Sequence, residues 1–246
     1  MTTGTKYKLL RKAWKNEYVQ TAIVIGLIVL IVFGFWYGSQ LVLNTQYPVL
    51  AVVSGSMCIP YDGACDGWTH SFERTLHIGD LIIVQGVNPA DLNADYPNSD
   101  IIVFKDPRDN TPNPDLIVHR IVSKQEINGK LYFRTKGDGN SDKKWPTPSS
   151  EFRDSDYDPW AIPPAPGVSE DSVVGKVIMR VPLVGHVVLF MRNSNGILIV
   201  VAIAAILIIL EFIIPVFRKK KPAPLTESQK TEPSDATDVF INTTSP

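Results

Sequence analysis

Two side chains in this sequence carry the ingredients of acyl transfer: Ser56, in Ser54-Gly55-Ser56-Met57, and His119, in Ile117-Val118-His119-Arg120-Ile121-Val122. A serine hydroxyl is a poor nucleophile until a neighbouring base accepts its proton. An imidazole suits that task near neutral pH. His119 sits among β-branched residues, which predicts a strand as its mount. Gly-Asp motifs follow, Gly79-Asp80 before a predicted strand and Gly137-Asp138-Gly139-Asn140 after one. Taken singly, each signal has a plain structural reading. Ser-Gly-Ser and Gly-Asp are common in turns, and a lone strand histidine is commonly structural. Their order along the chain is what joins them.

The elements that must hold these residues read as strands. Segments 48–53 (PVLAVV), 80–84 (DLIIV), 100–104 (DIIVF), 116–122 (LIVHRIV), 130–135 (KLYFRT) and 173–179 (VVGKVIM) are short, β-branched and apolar. Gly, Pro, Asn and Asp punctuate them. Asn128-Gly129 predicts a tight hairpin between the fourth and fifth. Several short strands with little helical pattern predict a mainly β domain, a small barrel or sandwich. Two stretches look inserted into it, residues 58–77 and the Pro-, Asp- and Ser-rich 141–170, since loops this long are uncommon in compact domains.

The ends of the chain are different in kind. Residues 18–43 and 196–217 are apolar runs of the length that crosses a bilayer. The first is longer than the apolar part of a cleavable signal peptide, and no small-residue exit follows it, so a retained anchor is expected. Residues 1–17 form a basic lead with Lys6, Lys8, Arg11, Lys12 and Lys15, and Arg218 with Lys219, Lys220 and Lys221 follows the second run. Positive flanks stay inside, so both termini, including the disordered tail within 218–246, are expected in the cytosol. Residues 44–195 then form one extracytoplasmic domain. The chain carries 24 basic and 25 acidic residues, a balance that gives no reason to expect nucleic acid as a partner.

In order and setting, these motifs resemble the type I signal peptidase family. That family carries S-x-S-M just after a membrane anchor, a Gly-Asp before a strand, a base segment, then a G-D-N segment. Here they correspond to Ser54-Gly55-Ser56-Met57, Gly79-Asp80, the His119 segment and Gly137-Asp138-Gly139-Asn140. The resemblance covers roughly residues 47–179 without the two insertions. His119-Arg120 stands where the bacterial branch has Lys-Arg, so the chain looks like the archaeal and endoplasmic-reticulum branch, which uses Ser, His and Asp. The string Phe133-Arg134-Thr135-Lys136-Gly137-Asp138 also looks like that branch.

The resemblance implies a membrane-anchored, multi-pass serine endopeptidase that removes signal peptides from preproteins at the outer face of the cell membrane. The bilayer and the protein-export channel would be its surroundings. Ser56 would attack, His119 would take and return the proton, and the Ser56 backbone N–H and the Ser54 hydroxyl would face the oxyanion. Asp138 matches one family aspartate. For the other, Asp158 in Asp-Pro-Trp is favoured and Asp142 is the alternative. Such chemistry needs no cofactor. Cys58 and Cys65 are the only cysteines. A disulfide is the first expectation outside the cytosol; free thiols, or zinc held with His70 and His77, are alternatives, although the spacing matches no common zinc pattern. Trp68, Trp145 and Trp160 are expected in loops, as interfacial aromatics or as loop packing, and His186 near the second span is expected at the interface. The rival reading is an anchored binding domain in which Ser56 and His119 are structural.

Overall fold

The computed structural model of the chain describes residues 17–59, 65, 75–162 and 165–218. The basic lead before residue 17, the tail after Arg218, and most of the first expected insertion, with Trp68 and His70, lie outside the described residues.

The first described helix, α1 (Glu17–Val42), is strongly apolar, with no apolar stripe on one side, and most of its side chains from Tyr18 onward are exposed. Among the described residues, Tyr18–Val42 is the one helix that alone is long and apolar enough to cross a membrane. At 1.5 Å per residue it spans about 38 Å, more than the ~30 Å hydrocarbon core. Asn44 ends it in the left-handed region, φ 50°, where Asn is among the favoured non-glycine residues. The turn is fixed to the sheet: the Gly86 N–H donates to the Leu43 carbonyl at 2.8 Å, and the Val84 N–H to the Pro48 carbonyl at 3.0 Å.

Among the described residues nine strands follow: β1 (Val49–Ala51), β2 (Leu81–Gln85), β3 (Ile101–Lys105), β4 (Leu116–Ile127), β5 (Lys130–Lys136), β6 (Ala161–Ile162), β7 (Ala165–Pro166), β8 (Val168–Ser169) and β9 (Val173–Val181). Seven form one sheet in the order β1-β2-β9-β3-β4-β5-β8, and β6 pairs with β7. Every pairing is antiparallel. Asn128 and Gly129 both take positive φ, 54° and 76°, as the two-residue β4–β5 hairpin requires.

The strand content expected from the sequence is present, but the closed barrel is not. β1 and β8 are the two edges of an open sheet, and with three and two residues neither is long enough to carry a closing ladder. Both faces are nevertheless covered. Ile102 and Phe104 belong to a cluster with Leu92, Ile121, Phe133, Trp160 and Val168. Val103, between them in sequence, belongs to another with Val52, Met57, Leu76, Ile82 and Val84. Successive strand residues point to opposite faces, so the two clusters lie on opposite sides of β3.

The expected second insertion packs as part of this domain. It forms short 3₁₀ turns, the β6–β7 pair and β8, which adds to β5. After β9 come α2 (Gly185–Arg192) and α3 (Ser194–Arg218). α2 was not expected. The described part of α3 is apolar and exposed, yet it meets the criteria of a membrane span only when counted together with α2. Two membrane-spanning helices are therefore not established, and the second returns below as a proposal.

The Gly86 turn gives a direct test of how the anchor joins the sheet. A Cβ at Gly86 would lie 2.0 Å from the Asn44 carbonyl oxygen, and backbone cannot yield as a side chain does. Gly86→Ala is expected to cost about 1–3 kcal/mol, the range for overpacking, measured as a lower unfolding midpoint of the detergent-solubilised protein.

Candidate active site

Ser56 lies in a turn just beyond β1, and that turn is clamped from two directions. On one side the Val52 N–H donates to the Asp80 carbonyl at 2.8 Å and the Gly79 N–H to the Val52 carbonyl at 2.9 Å. Gly79 has φ +86°, and Asp80 accepts from the His77 N–H and pairs with Arg180 at 2.6 Å. The Gly-Asp pair before β2 is thus a structural corner. On the other side the Gly139 N–H donates to the Ser56 carbonyl at 2.9 Å, and the Asp138 N–H meets the Met57 sulfur at 3.5 Å. Added Cβ atoms at Gly137 and Gly139 would lie 2.5 Å from the Ser56 oxygen and 1.9 Å from the Cys58 oxygen. Only glycines allow the two turns this close.

His119 occupies β4 opposite Ile102 of β3, and its side chain is 7% exposed. Its Nε2 lies 2.9 Å from the Ser56 hydroxyl oxygen. Its Nδ1 lies 2.5 Å from Asp158 Oδ2. An ionised carboxylate only accepts, so Nδ1 carries the hydrogen and Nε2 is left to accept the Ser56 hydroxyl proton. Asp158 is held in turn by Thr135: the Thr135 hydroxyl donates to Oδ2 at 2.8 Å, and the Asp158 N–H donates to the Thr135 carbonyl at 3.0 Å. Burial alone would push the Asp158 carboxyl up. Hydrogen bonds from His119, Thr135 and, last in size, the Trp160 indole, with the charge an imidazolium would bring, hold it below the usual carboxylate range.

The other carboxylates lie elsewhere. Asp142 has a 96% exposed side chain whose ion partner is Arg153 at 4.0 Å. Asp138 is buried, and both its oxygens accept from Arg120, Nε to Oδ1 and Nη2 to Oδ2, each at 2.8 Å. Strand alternation explains this: Arg120 follows His119 on β4 and points away from it. Burial raises the Asp138 carboxyl above its ordinary value, and the Arg120 fork offsets part of that. The same buried carboxylate, after desolvation, helps raise the Tyr96 phenol to about 12. Arg120 also donates to the Ser99 carbonyl and lies 5.2 Å from the centre of the Trp145 ring. The Ser54 and Ser56 hydroxyl oxygens are 3.4 Å apart.

Cys58 and Cys65 are joined in a disulfide, which uses both thiols that a zinc site would have needed. The His77 ring is buried against the Thr75 carbonyl, Nδ1 to oxygen 3.1 Å. His186 lies on α2 with its ring against Gly79. Trp145 donates to the Pro97 carbonyl and Trp160 is 4% exposed, so both pack within the domain. A cleft of about 270 Å³ runs beside Ser56 and His119, lined by Ala51, Val52, Val53, Leu116, Val118 and Trp160 among others. Thr135 and Trp160 were not singled out as site residues in the sequence. The Phe133–Asp138 string was the signal available for Thr135, but a string does not say which of its members faces the carboxylate.

No protein-family model matches the chain. Curated relatives do. Over 132 residues the chain is 29% identical to signal peptidase complex catalytic subunit SEC11C of Canis lupus familiaris and of Mus musculus, covering 53% of this chain and 57% of each relative. The match thus spans little more than half the length of those relatives. Over 171 residues it is 27% identical to the SEC11 catalytic subunit of Chaetomium globosum, covering 68% of this chain and 77% of that protein. Over 181 residues it is 26% identical to that of Lachancea thermotolerans, covering 71% and 86%.

The Arg120–Asp138 pair separates a scaffold role from a chemical one. Arg120→Ala leaves a buried carboxylate without its fork and is expected to destabilise the protein by about 3–5 kcal/mol. Asp142→Ala removes an exposed side chain and is expected to stay within about 0.5 kcal/mol; denaturant titration of both variants checks the contrast. By sequence, the chain is similar to the catalytic subunits of signal peptidase complexes, at 26–29% identity.

Proposed function

We propose that the chain is an active, membrane-anchored serine endopeptidase that cleaves signal peptides from preproteins, with Ser56 as nucleophile, His119 as general base and Asp158 as the orienting acid. The single observation that carries this is the line of contacts from the Ser56 oxygen to His119 Nε2, 2.9 Å, and from Nδ1 to Asp158, 2.5 Å. It is the donor and acceptor order of a Ser-His-Asp triad. The signal peptidase relatives support the substrate class.

The steps follow from that order. Ser56 Oγ adds to the carbonyl carbon of the scissile peptide as its proton moves to His119 Nε2. The imidazolium, held by Asp158, gives this proton to the leaving nitrogen, the C–N bond breaks, and an ester remains on Ser56. A water then attacks the ester, losing its proton to His119, and Ser56 leaves protonated. The Ser56 backbone N–H and the Ser54 hydroxyl are assigned to the oxyanion, a contribution of about 3–4 kcal/mol per donor in serine proteases.

The substrate is read as an added strand. Among the described residues β1 pairs only with β2, which leaves its other edge unpaired by them beside Ser56. Extended peptides bind such edges through main-chain hydrogen bonds, with pockets for alternate side chains. The small cleft between β1 and β4 suits short side chains. Ser56 lies about a dozen residues beyond α1, which keeps the site near the membrane surface, where a cleavage site emerging from the bilayer or an export channel is met. The reading includes a second span over residues 196–217, a domain outside the cell membrane and both termini in the cytosol, as the basic flanks require.

Two measurements test this. In a preprotein cleavage assay, Ser56→Ala and His119→Ala are expected to abolish turnover and Asp158→Asn to lower it about 10 000-fold, while Asp142→Asn leaves it unchanged. Wild-type turnover should fall as pH falls: Asp158 is held ionised, so acid-side loss reports the imidazole taking a proton. Cleavage by the two alanine variants at the wild-type rate would instead support a binding domain. For topology, a protease added outside sealed vesicles of cytosol-out orientation should remove the tail after Arg218 and spare the domain.

A further inference from the structure

Asp158 is fixed by more than His119. The Trp160 indole Nε1–H donates to the Thr135 hydroxyl oxygen at 3.0 Å, and that hydroxyl lies 2.8 Å from Asp158 Oδ2. An indole N–H can only donate, and a carboxylate can only accept. With its oxygen occupied by Trp160, the Thr135 hydroxyl has one direction left for its hydrogen, toward Asp158. Thr135 is 1% exposed and Trp160 4% exposed, so water does not compete for these partners. The Trp160 ring is wedged edge-on against Phe104, centroids 5.9 Å apart, and Phe104 stands edge-on to the His119 ring.

We propose that Thr135 and Trp160 are positioning residues: a Trp160→Thr135→Asp158 relay that locks the carboxylate in the rotamer and charge state His119 needs. This deepens the Ser56–His119–Asp158 reading and rests on it. The relay spans the β5 strand and the Pro-rich stretch after it, so it also secures the segment that brings Asp158 in. Trp160 lines the cleft beside Ser56, so the end of the relay is also a wall of the proposed substrate site.

Other charges face this carboxylate, and none duplicates the hydroxyl. His119 comes from β4. Arg108, from the β3–β4 connection, lies over the Trp160 ring at 4.4 Å and is paired with Asp106. Lys136, next to Thr135 on β5, turns its ammonium to the Gly137 and Asn140 carbonyls. Asp138 is forked by Arg120. Removing the Thr135 hydroxyl removes one of the hydrogen bonds that hold Asp158 below the ordinary carboxylate range, so the carboxyl takes a proton at a higher pH.

The test is steady-state preprotein cleavage across pH by the full-length, detergent-solubilised protein. Thr135→Val is expected to lower kcat about 10- to 100-fold, the size of a lost hydrogen bond to a buried charge, with KM little changed. Its acid-side loss steepens, because Asp158 then takes a proton closer to the range where the imidazole does, and Thr135→Ser restores both rate and profile. A folded Thr135→Val with wild-type kcat and pH profile overturns the relay. So does a loss that is equal at every pH and that Thr135→Ser does not restore, which is what a merely structural threonine gives. If Thr135→Val does not fold, Trp160→Phe keeps the ring and removes the donor. The relay then predicts about a 2- to 10-fold loss with the same steepening, and an unchanged profile overturns it. Ser56→Ala runs beside these variants: if it cuts like wild type, the nucleophile assignment fails, whereas an inactive Ser56→Ala with a normal Thr135→Val defeats the relay alone.

Discussion

The imidazole of His119 is bound on both sides by oxygen, the Ser56 hydroxyl at 2.9 Å and the Asp158 carboxylate at 2.5 Å. Each of the three residues comes from a different part of the chain, and the rest of the structure is arranged to hold them in line. β4 supplies a stiff mount for the ring, flanked by β3 and β5. The turn at Gly137–Asn140 presses on the Ser56 loop closely enough that a side chain on Gly137 would collide with the Ser56 carbonyl and one on Gly139 with the Cys58 carbonyl. Thr135 grips Asp158 by both its hydroxyl and its carbonyl. The buried Arg120–Asp138 pair braces that same turn from the other face of β4. A buried ion pair is costly to desolvate, and here it fixes the turn that contacts Ser56 and Met57.

The open sheet fits this arrangement. An exposed edge is ordinarily a hazard, because its unpaired N–H and C=O groups attract other strands. Here the edge is β1, three residues long, ending just before Ser56. On the proposed function, a short edge beside Ser56 would limit pairing to one peptide at a time, in the register the cleft sets. The Leu43–Gly86 and Pro48–Val84 bonds join the end of α1 to β2, so the same strand that backs the edge also carries the link to the anchor.

The strands were legible in the sequence because their signals are local: β-branched runs such as 101–104 and 116–122, bounded by turn residues, and an Asn-Gly pair in the turn that joins β4 to β5. The barrel was misread because closure depends on the lengths of edge strands, which apolar pattern does not encode. β6, β7, β8 and α2 were missed for related reasons. The first three lie in a Pro-rich stretch with no alternation, and α2 directly precedes the long apolar run that drew attention. At the site, Ser56 and His119 were visible as motifs, while the choice between Asp158 and Asp142 hung on a three-residue context. What sets the two apart in space is the Thr135 carbonyl and hydroxyl, and Thr135 is silent in sequence because a threonine on a strand is ordinary.

The central claim is that the Ser56 oxygen is made nucleophilic by His119. Acyl-enzyme trapping tests it most directly: the purified protein is mixed with an activated ester of a signal-peptide cleavage segment, quenched, and analysed by peptide mass spectrometry. The account predicts an acyl adduct on the peptide bearing Ser56, forming more slowly as pH falls and absent in His119→Ala. An adduct on another residue, or one on Ser56 that forms equally fast without His119, would contradict it.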